Sequence, residues 1–265
     1  MVVKHNLTAM NSNRMLGLTT AAQAKSTEKL SSGYKVNRAA DDAAGLAISE
    51  KMRRQVRGLT QAAANAQDGV SMVQTAEGAL NEVHDMLQRI NELAVKGETG
   101  TLTTSDRSYI NSEVKQLMSE IDRVASTTTF NEKNLLTGSV NGLNLHVGAE
   151  SGQYITLSIT GMSCGKIGLT GSATTSTAAA SLNTAVKNAI AKVNKQRSDL
   201  GAIQNRLEHT INNLNNIVEN TTSAESAIRD TEMVTYANNN ILAQAGQAML
   251  AQSNQANQGV LSLLG

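Results

Sequence analysis

The sequence predicts a mostly α-helical protein: a long antiparallel coiled-coil helical rod with a small β-hairpin region and terminal helices that pair. Three observations carry this. The 265 residues contain no proline, where average usage of about 5% would give roughly 13, and proline is what the interior of a long helix cannot accept. Only five residues are aromatic, four Tyr and one Phe, which starves a spherical core of bulk but not a narrow helix-to-helix seam. Apolar residues also recur in sustained 4-3-4-3 steps, the coiled-coil template.

In chain order, residues 1–30 hold a weak heptad of Leu7, Met10, Arg14, Gly17, Ala21 and Ala24, which Ser31-Ser32-Gly33 interrupts. Asp41 and Asp42 precede the strongest pattern and mark a helix start, where negative charge meets the positive end of the dipole. From Ile48, alternating steps of four and three land on Met52, Gln55, Leu59, Ala62, Ala66, Gly69, Val73, Ala76, Leu80, Val83, Leu87, Ile90 and Ala94. Only Gln55 and Gly69 are not apolar, so one helix on the order of 70 Å long is expected. Ala or Gly occupies five of these positions, which lets partner helices approach closely. Gly97 and Gly100 are expected to break this helix. Thr104 or Ser105 caps the next, whose seam is Ile110, Val114, Leu117, Ile121 and Val124.

Residues 127–172 read as a β-hairpin region. Leu143, Leu145 and Val147 alternate with polar residues, as do Ile155, Leu157 and Ile159, and Asn141-Gly142 is a turn dipeptide. The small polar run GSATTSTAAAS, residues 171–181, predicts a short linker. A last long seam runs through Val186, Ile190, Val193, Arg197, Leu200, Gln204, Leu207, Ile211, Leu214 and Val218. Ile203 and Ile217 widen its apolar face toward a second neighbour. From Met233 to Gly265 no residue is charged, yet Ile241, Leu242, Met249, Leu250, Val260, Leu261, Leu263 and Leu264 lie there. Such a segment makes a poor solvated surface, so it is expected to become ordered by association.

Chemistry is sparse. The net charge of +1 and the lack of aromatic stacking platforms argue against nucleic acid. No apolar run reaches the roughly 18 residues of a membrane span, and the N-terminus lacks the apolar core of a secretory signal. The single cysteine, Cys164, cannot pair within the chain. His5, His84, His146 and His209 are scattered singly, so no metal or cofactor is expected. Gly161-Met162-Ser163-Cys164-Gly165 matches the G-x-S-x-G nucleophile elbow, with Asp199 and His209 following in hydrolase order. No helix is expected directly after that serine, however, and Asp199 and His209 lie on a helix whose spacing serves a coiled-coil seam. A hydrolase using Ser163 is therefore a remote alternative, and no catalytic residue is assigned.

Two stretches carry a family resemblance. Leu30-Ser31-Ser32-Gly33 followed by Asn37-Arg38-Ala39-Ala40-Asp41-Asp42-Ala43-Ala44-Gly45-Leu46-Ala47-Ile48 resembles the N-terminal core of bacterial flagellins. Ala243-Gln244-Ala245-Gly246, Ala251-Gln252-Ser253-Asn254-Gln255 and Val260-Leu261-Ser262-Leu263-Leu264 resemble the flagellin C-terminus. The resemblance implies a subunit of the helical bacterial flagellar filament. Residues 1–40 with 228–265 would form the inner-tube layer D0, and residues 41–227 the D1 rod, without the outer domains D2 and D3. Polymerisation would then fall to Leu7, Met10, Ile241, Leu242, Met249, Leu250, Val260, Leu261, Leu263 and Leu264.

It further implies export unfolded through the flagellar type III machinery with an export chaperone, assembly beneath the filament cap on hook-associated proteins, and an extracellular location. The run Leu87-Gln88-Arg89-Ile90-Asn91-Glu92-Leu93-Ala94-Val95 resembles the stretch bound by the animal Toll-like flagellin receptor. Gln88, Arg89 and Leu93, with Glu113 on the next helix, would be its contacts. A hook–filament junction protein, which shares such termini, is the alternative within the class.

Overall fold

The structure, a computed structural model, describes residues 7–231 and, further on, residues 237–238, 240–242, 244–248 and 251–252. Side chains 7–9 and 12 are outside that description. Five helices and four short strands follow in order: α1 (Leu7–Ser32), α2 (Ala43–Glu98), α3 (Thr104–Thr127), β1 (Thr129–Phe130), β2 (Lys133–Asn134), β3 (Leu143–His146), β4 (Tyr154–Leu157), α4 (Cys164–Ile167) and α5 (Ser176–Arg229). The described positions between 237 and 252 are helical too. The chain forms two compact units, one from residues 1–56 with 219–265 and one from 57–218.

In the unit of residues 57–218, α2 and α5 run antiparallel. Leu59 and Ala62 pack with Leu214, and Ala66 and Val70 with Leu207. Further along, Glu77 faces Arg197, and Asn183 donates to Glu98 at 2.7 Å. Every expected seam residue of α2 from Leu59 to Ala94 is buried, Gly69 included. Val186, Val193, Leu200, Leu207 and Leu214 of α5 are buried with it. α3 adds Ile110, Val114 and Ile121 to the same core. Removing apolar side chains from water at about 25 cal/mol per Å² drives this packing.

Several local expectations shift. The cap of α3 is Thr103, not Thr104 or Ser105: its hydroxyl accepts from the Asp106 amide, and the Asp106 carboxylate accepts from the Thr103 amide. This reciprocal pair satisfies two amides that the first turn would otherwise leave open. Gly97 does not break α2 but lies inside it, where an added Cβ would come within 3.1 Å of Ala179 Cβ. Residues 176–181 are helix rather than linker. Thr175 accepts the Ala178 amide through its hydroxyl, and the alanines that follow favour the first turns.

The β-hairpin region holds two hairpins. β3 and β4 pair antiparallel, Leu143 opposite Leu157 and Leu145 opposite Ile155. Their loop lies at 147–153, so Asn141-Gly142 precedes the hairpin rather than closing it. β1 and β2 pair across Asn131-Glu132, both with positive φ (47° and 64°), the mirror-image turn that matches strand twist. A one-turn helix, α4, does begin directly after Ser163, with its own Cys164 and Ile167 buried.

In the unit of residues 1–56 and 219–265, α1 ends where Gly33 turns to φ +77°, a conformation that side chains resist. The strap that follows is held at both ends. Tyr34 and Asp230 form an antiparallel β-bridge, the Lys35 amide donates to the Arg229 carbonyl at 2.6 Å, and the Thr231 amide donates to the Gly33 carbonyl at 3.1 Å. Asp41 accepts the Asn37 and Arg38 amides and pairs with Lys25 at 3.0 Å, and Asp42 accepts the Gly45 amide at the start of α2. Ile48 is 47% exposed, while Ser49 is buried with its hydroxyl on the Leu46 carbonyl. The inward face of this stretch is thus turned by one residue, about 100°, from the stripe the sequence suggests. A Cβ on Gly246 would lie 3.8 Å from Leu16 Cδ1 and from Thr19 Oγ1, so the terminal helices approach within van der Waals reach.

Candidate functional site

The α2–α3 face gathers most of the polar side chains singled out in the sequence. α2 presents Arg89 one turn before Leu93, and the Thr103 cap starts α3 so that Glu113 comes opposite Arg89. The guanidinium donates from Nε to Glu113 Oε1 at 2.9 Å and from Nη1 to Glu92 Oε2 at 3.0 Å. Hydrogen bonding to Glu113 first and Glu92 second holds Arg89 above its already high ordinary pKa. All three side chains are substantially exposed. Exposed pairs of this kind contribute little to stability, so their consequence is to fix where the charges stand.

These residues rim a groove of about 560 Å³ whose lining includes Lys96, Leu102, Asp106 and Tyr109. Tyr109 is 76% exposed. Gln88 is exposed, 3.4 Å from the His84 ring. Leu93 is placed differently from the rest of the expected set: only 4% exposed, it packs in the core beneath the groove. The heptad marks one stripe of α2, and α3 covers a second.

The elbow motif does not assemble a relay. Ser163 opens α4 without a side-chain capping bond. Asp199 and His209 are exposed and ten residues apart on α5, roughly 15 Å of helical rise, far beyond the reach of the hydrogen bond a base and its orienting acid must share. Cys164 is buried, its thiol donating to the Met118 carbonyl at 3.3 Å. Burial, then the neighbouring Asp122 charge, pushes that thiol up to about 12. Among the described residues, no group of three His, Cys, Asp or Glu is placed to hold a metal ion. No described helix is long and apolar enough to cross a membrane.

The terminal unit carries a different surface. Met10, Met15 and Leu18 on α1 are 64%, 50% and 59% exposed, and Ile241 and Leu242 are 65% and 56% exposed. Met249, Leu250, Val260, Leu261, Leu263 and Leu264, and the side chain of Leu7, lie outside the described residues. The clamp in which Arg229 meets both Tyr34 and Glu50 carries no local sequence signal, because its members are far apart in the chain.

The chain is similar to known proteins along nearly its whole length. Residues 3–141 match the bacterial flagellin N-terminal helical region, and residues 183–264 match the bacterial flagellin C-terminal helical region. Flagellin of Halalkalibacterium halodurans is 51% identical over 271 residues, with all of both chains covered. The flagellar filament 31.3 kDa core protein of Treponema maltophilum is 49% identical over 285 residues and the flagellin of Bacillus subtilis 45% over 303, again along the whole of both chains. The crystal structure of Bacillus cereus flagellin, 28% identical, superposes with a TM-score of 0.53 over 57% of this chain and 88% of its own.

Proposed function

The chain belongs to the bacterial flagellin family, and we propose that it does its work as the repeating subunit of an extracellular flagellar filament used for motility. One observation carries this reading: likeness at 45–51% identity runs the full length of flagellins and a filament core protein. The exposed apolar residues Met10, Met15 and Leu18 of α1 and Ile241 and Leu242 support it, since large apolar side chains left in water favour a partner that covers them. Residues 1–40 with 228–265 are the polymerising layer in this reading and residues 41–227 the layer around it. Polymerisation rests on Met10, Ile241 and Leu242 together with Leu7, Met249, Leu250, Val260, Leu261, Leu263 and Leu264. The same likeness disfavours a hook–filament junction protein.

Flagellar type III export, an export chaperone, the filament cap and hook-associated proteins are the partners this role entails. Expression in a motile bacterium deleted for its own filament protein tests the role: filaments and swimming are expected, and export without filaments would refute it.

A second reading concerns the α2–α3 groove as the surface taken by the animal Toll-like flagellin receptor. It is supported by Arg89 and Glu113 standing paired and exposed beside Gln88, with Leu93 shaping the floor. Arg89→Ala and Glu113→Ala monomers are expected to signal more weakly in receptor-bearing reporter cells. Unchanged signalling from both would remove this reading.

A further inference from the structure

Resting on the filament reading, we propose that a basic groove between α4 and α5 of one subunit docks the acidic stripe of α2 on a second copy of the chain. The charge distribution motivates it. The net charge is +1, yet residues 160–199 carry five basic side chains and a single acid, Asp199, whereas residues 77–123 carry nine acids against five bases.

The groove is about 370 Å³, lined by Lys166, Lys192, Lys195 and the buried Gln196, with Asp199 at its edge. Lys192 is fixed in place, its ammonium donating to the Ile167 carbonyl at 2.9 Å. Gln196 is committed as well, bonding Thr160 and the Ser158 carbonyl. Lys166 and Lys195 are exposed and form no ion pair among the described residues. One built cation and two unspent ones therefore converge on a concave surface.

The complementary surface is on α2. Glu82 and Asp85 are exposed, three residues apart on one helix face, and likewise without an ion-pair partner among the described residues. Glu77, which faces Arg197 on α5, is turned about 140° round the helix from Glu82. Glu82 thus points away from the α5 side that Glu77 meets, and Asp85, about 80° from Glu77, flanks it.

Two different patches that fit each other make a head-to-tail contact, which propagates into an open helical polymer when the rotation does not close. Opposite charges on the two patches fix register and reject the wrong neighbour. A contact between identical patches would instead stop at a dimer.

Sedimentation of seeded polymer tests this with three proteins. The wild type is expected to polymerise. Lys166→Glu/Lys195→Glu and Glu82→Lys/Asp85→Lys should each raise the critical concentration about tenfold or more, with monomer helicity unchanged by circular dichroism because all four side chains are exposed. An equimolar mixture of the two variants should polymerise near the wild-type concentration, because each then offers the groove or stripe its neighbour lacks. Variants that polymerise like the wild type, or a mixture no better than its parts, would overturn the proposal while leaving the filament reading intact. Failure of the wild type itself would overturn both.

Discussion

Arg229, near the end of α5, sets its guanidinium 4.4 Å from the centroid of the Tyr34 ring just beyond α1, and so joins the two ends of the chain through one side chain. The same guanidinium pairs with Glu50 at 2.9 Å, and its side chain is only 13% exposed. Its backbone carbonyl accepts the Lys35 amide, so the contact and the β-bridge of Tyr34 with Asp230 reinforce each other.

Replacing Arg229 by Ala should remove the cation–π contact and the ion pair together, at a cost of about 1–2 kcal/mol where the site is partly desolvated. Amide hydrogen exchange at Lys35 and Thr231 reads this directly and should quicken about tenfold. Tyr34→Phe should change little, because the ring face is kept. Unchanged exchange in Arg229→Ala would show that the β-bridge stands without the side chain.

Asp41 gives the strap a pH dependence of definite sign. Its hydrogen bond with Lys25, then the amide of Arg38, lowers its carboxyl from 3.8 to about 2. The contribution is therefore complete above pH 3.8 and is lost as the pH falls from there through 2. Order in residues 37–42, followed by backbone amide shifts, should persist at pH 4.5 and decline below pH 3. Asp41→Asn should flatten that response.

Within the unit of residues 57–218, Leu87 is wholly buried on the α2 seam. Leu87→Ala should cost about 2–5 kcal/mol through lost burial and a residual cavity, read as a fall in the urea midpoint. Thr103→Ala, which deletes the cap of α3, should cost about 1 kcal/mol. Reversal of that order would mean that α3, not the seam, limits the unit's stability.

Cys164 should be chemically silent in the folded protein. With its thiol pushed up to about 12, the thiolate that alkylating reagents need is scarce at pH 8, whereas an unfolded cysteine titrates near 8.5. Alkylation by iodoacetamide should be slower in the native protein by at least about a thousandfold. Comparable native and denatured rates would show that α4 opens readily.

Long-period features were legible in the sequence, and single-contact features were not. The heptad from Leu59 to Ala94 foretold the buried stripe residue by residue, because a 3.5-residue repeat leaves little choice of inward face. The burial of Leu93 was not legible there, because a repeat read along one helix reports one neighbour, and α3 buries a second face. The β1–β2 hairpin escaped notice because its turn is Asn131-Glu132, with glutamate at a positive-φ position where glycine is the usual signal. The small polar composition of residues 171–181 suggested a linker, yet one hydroxyl, that of Thr175, converts its second half into the first turns of α5. The receptor-like pair Arg89 and Glu113 could be named from resemblance, but their 2.8 Å approach depends on the packing of α3 against α2.

Electron microscopy of purified full-length protein after seeding, beside a truncation lacking residues 233–265, tests the central claim most directly. Long uniform filaments from the full chain and none from the truncation are the predicted result. Soluble monomers from the full chain under every seeding and salting condition would contradict it.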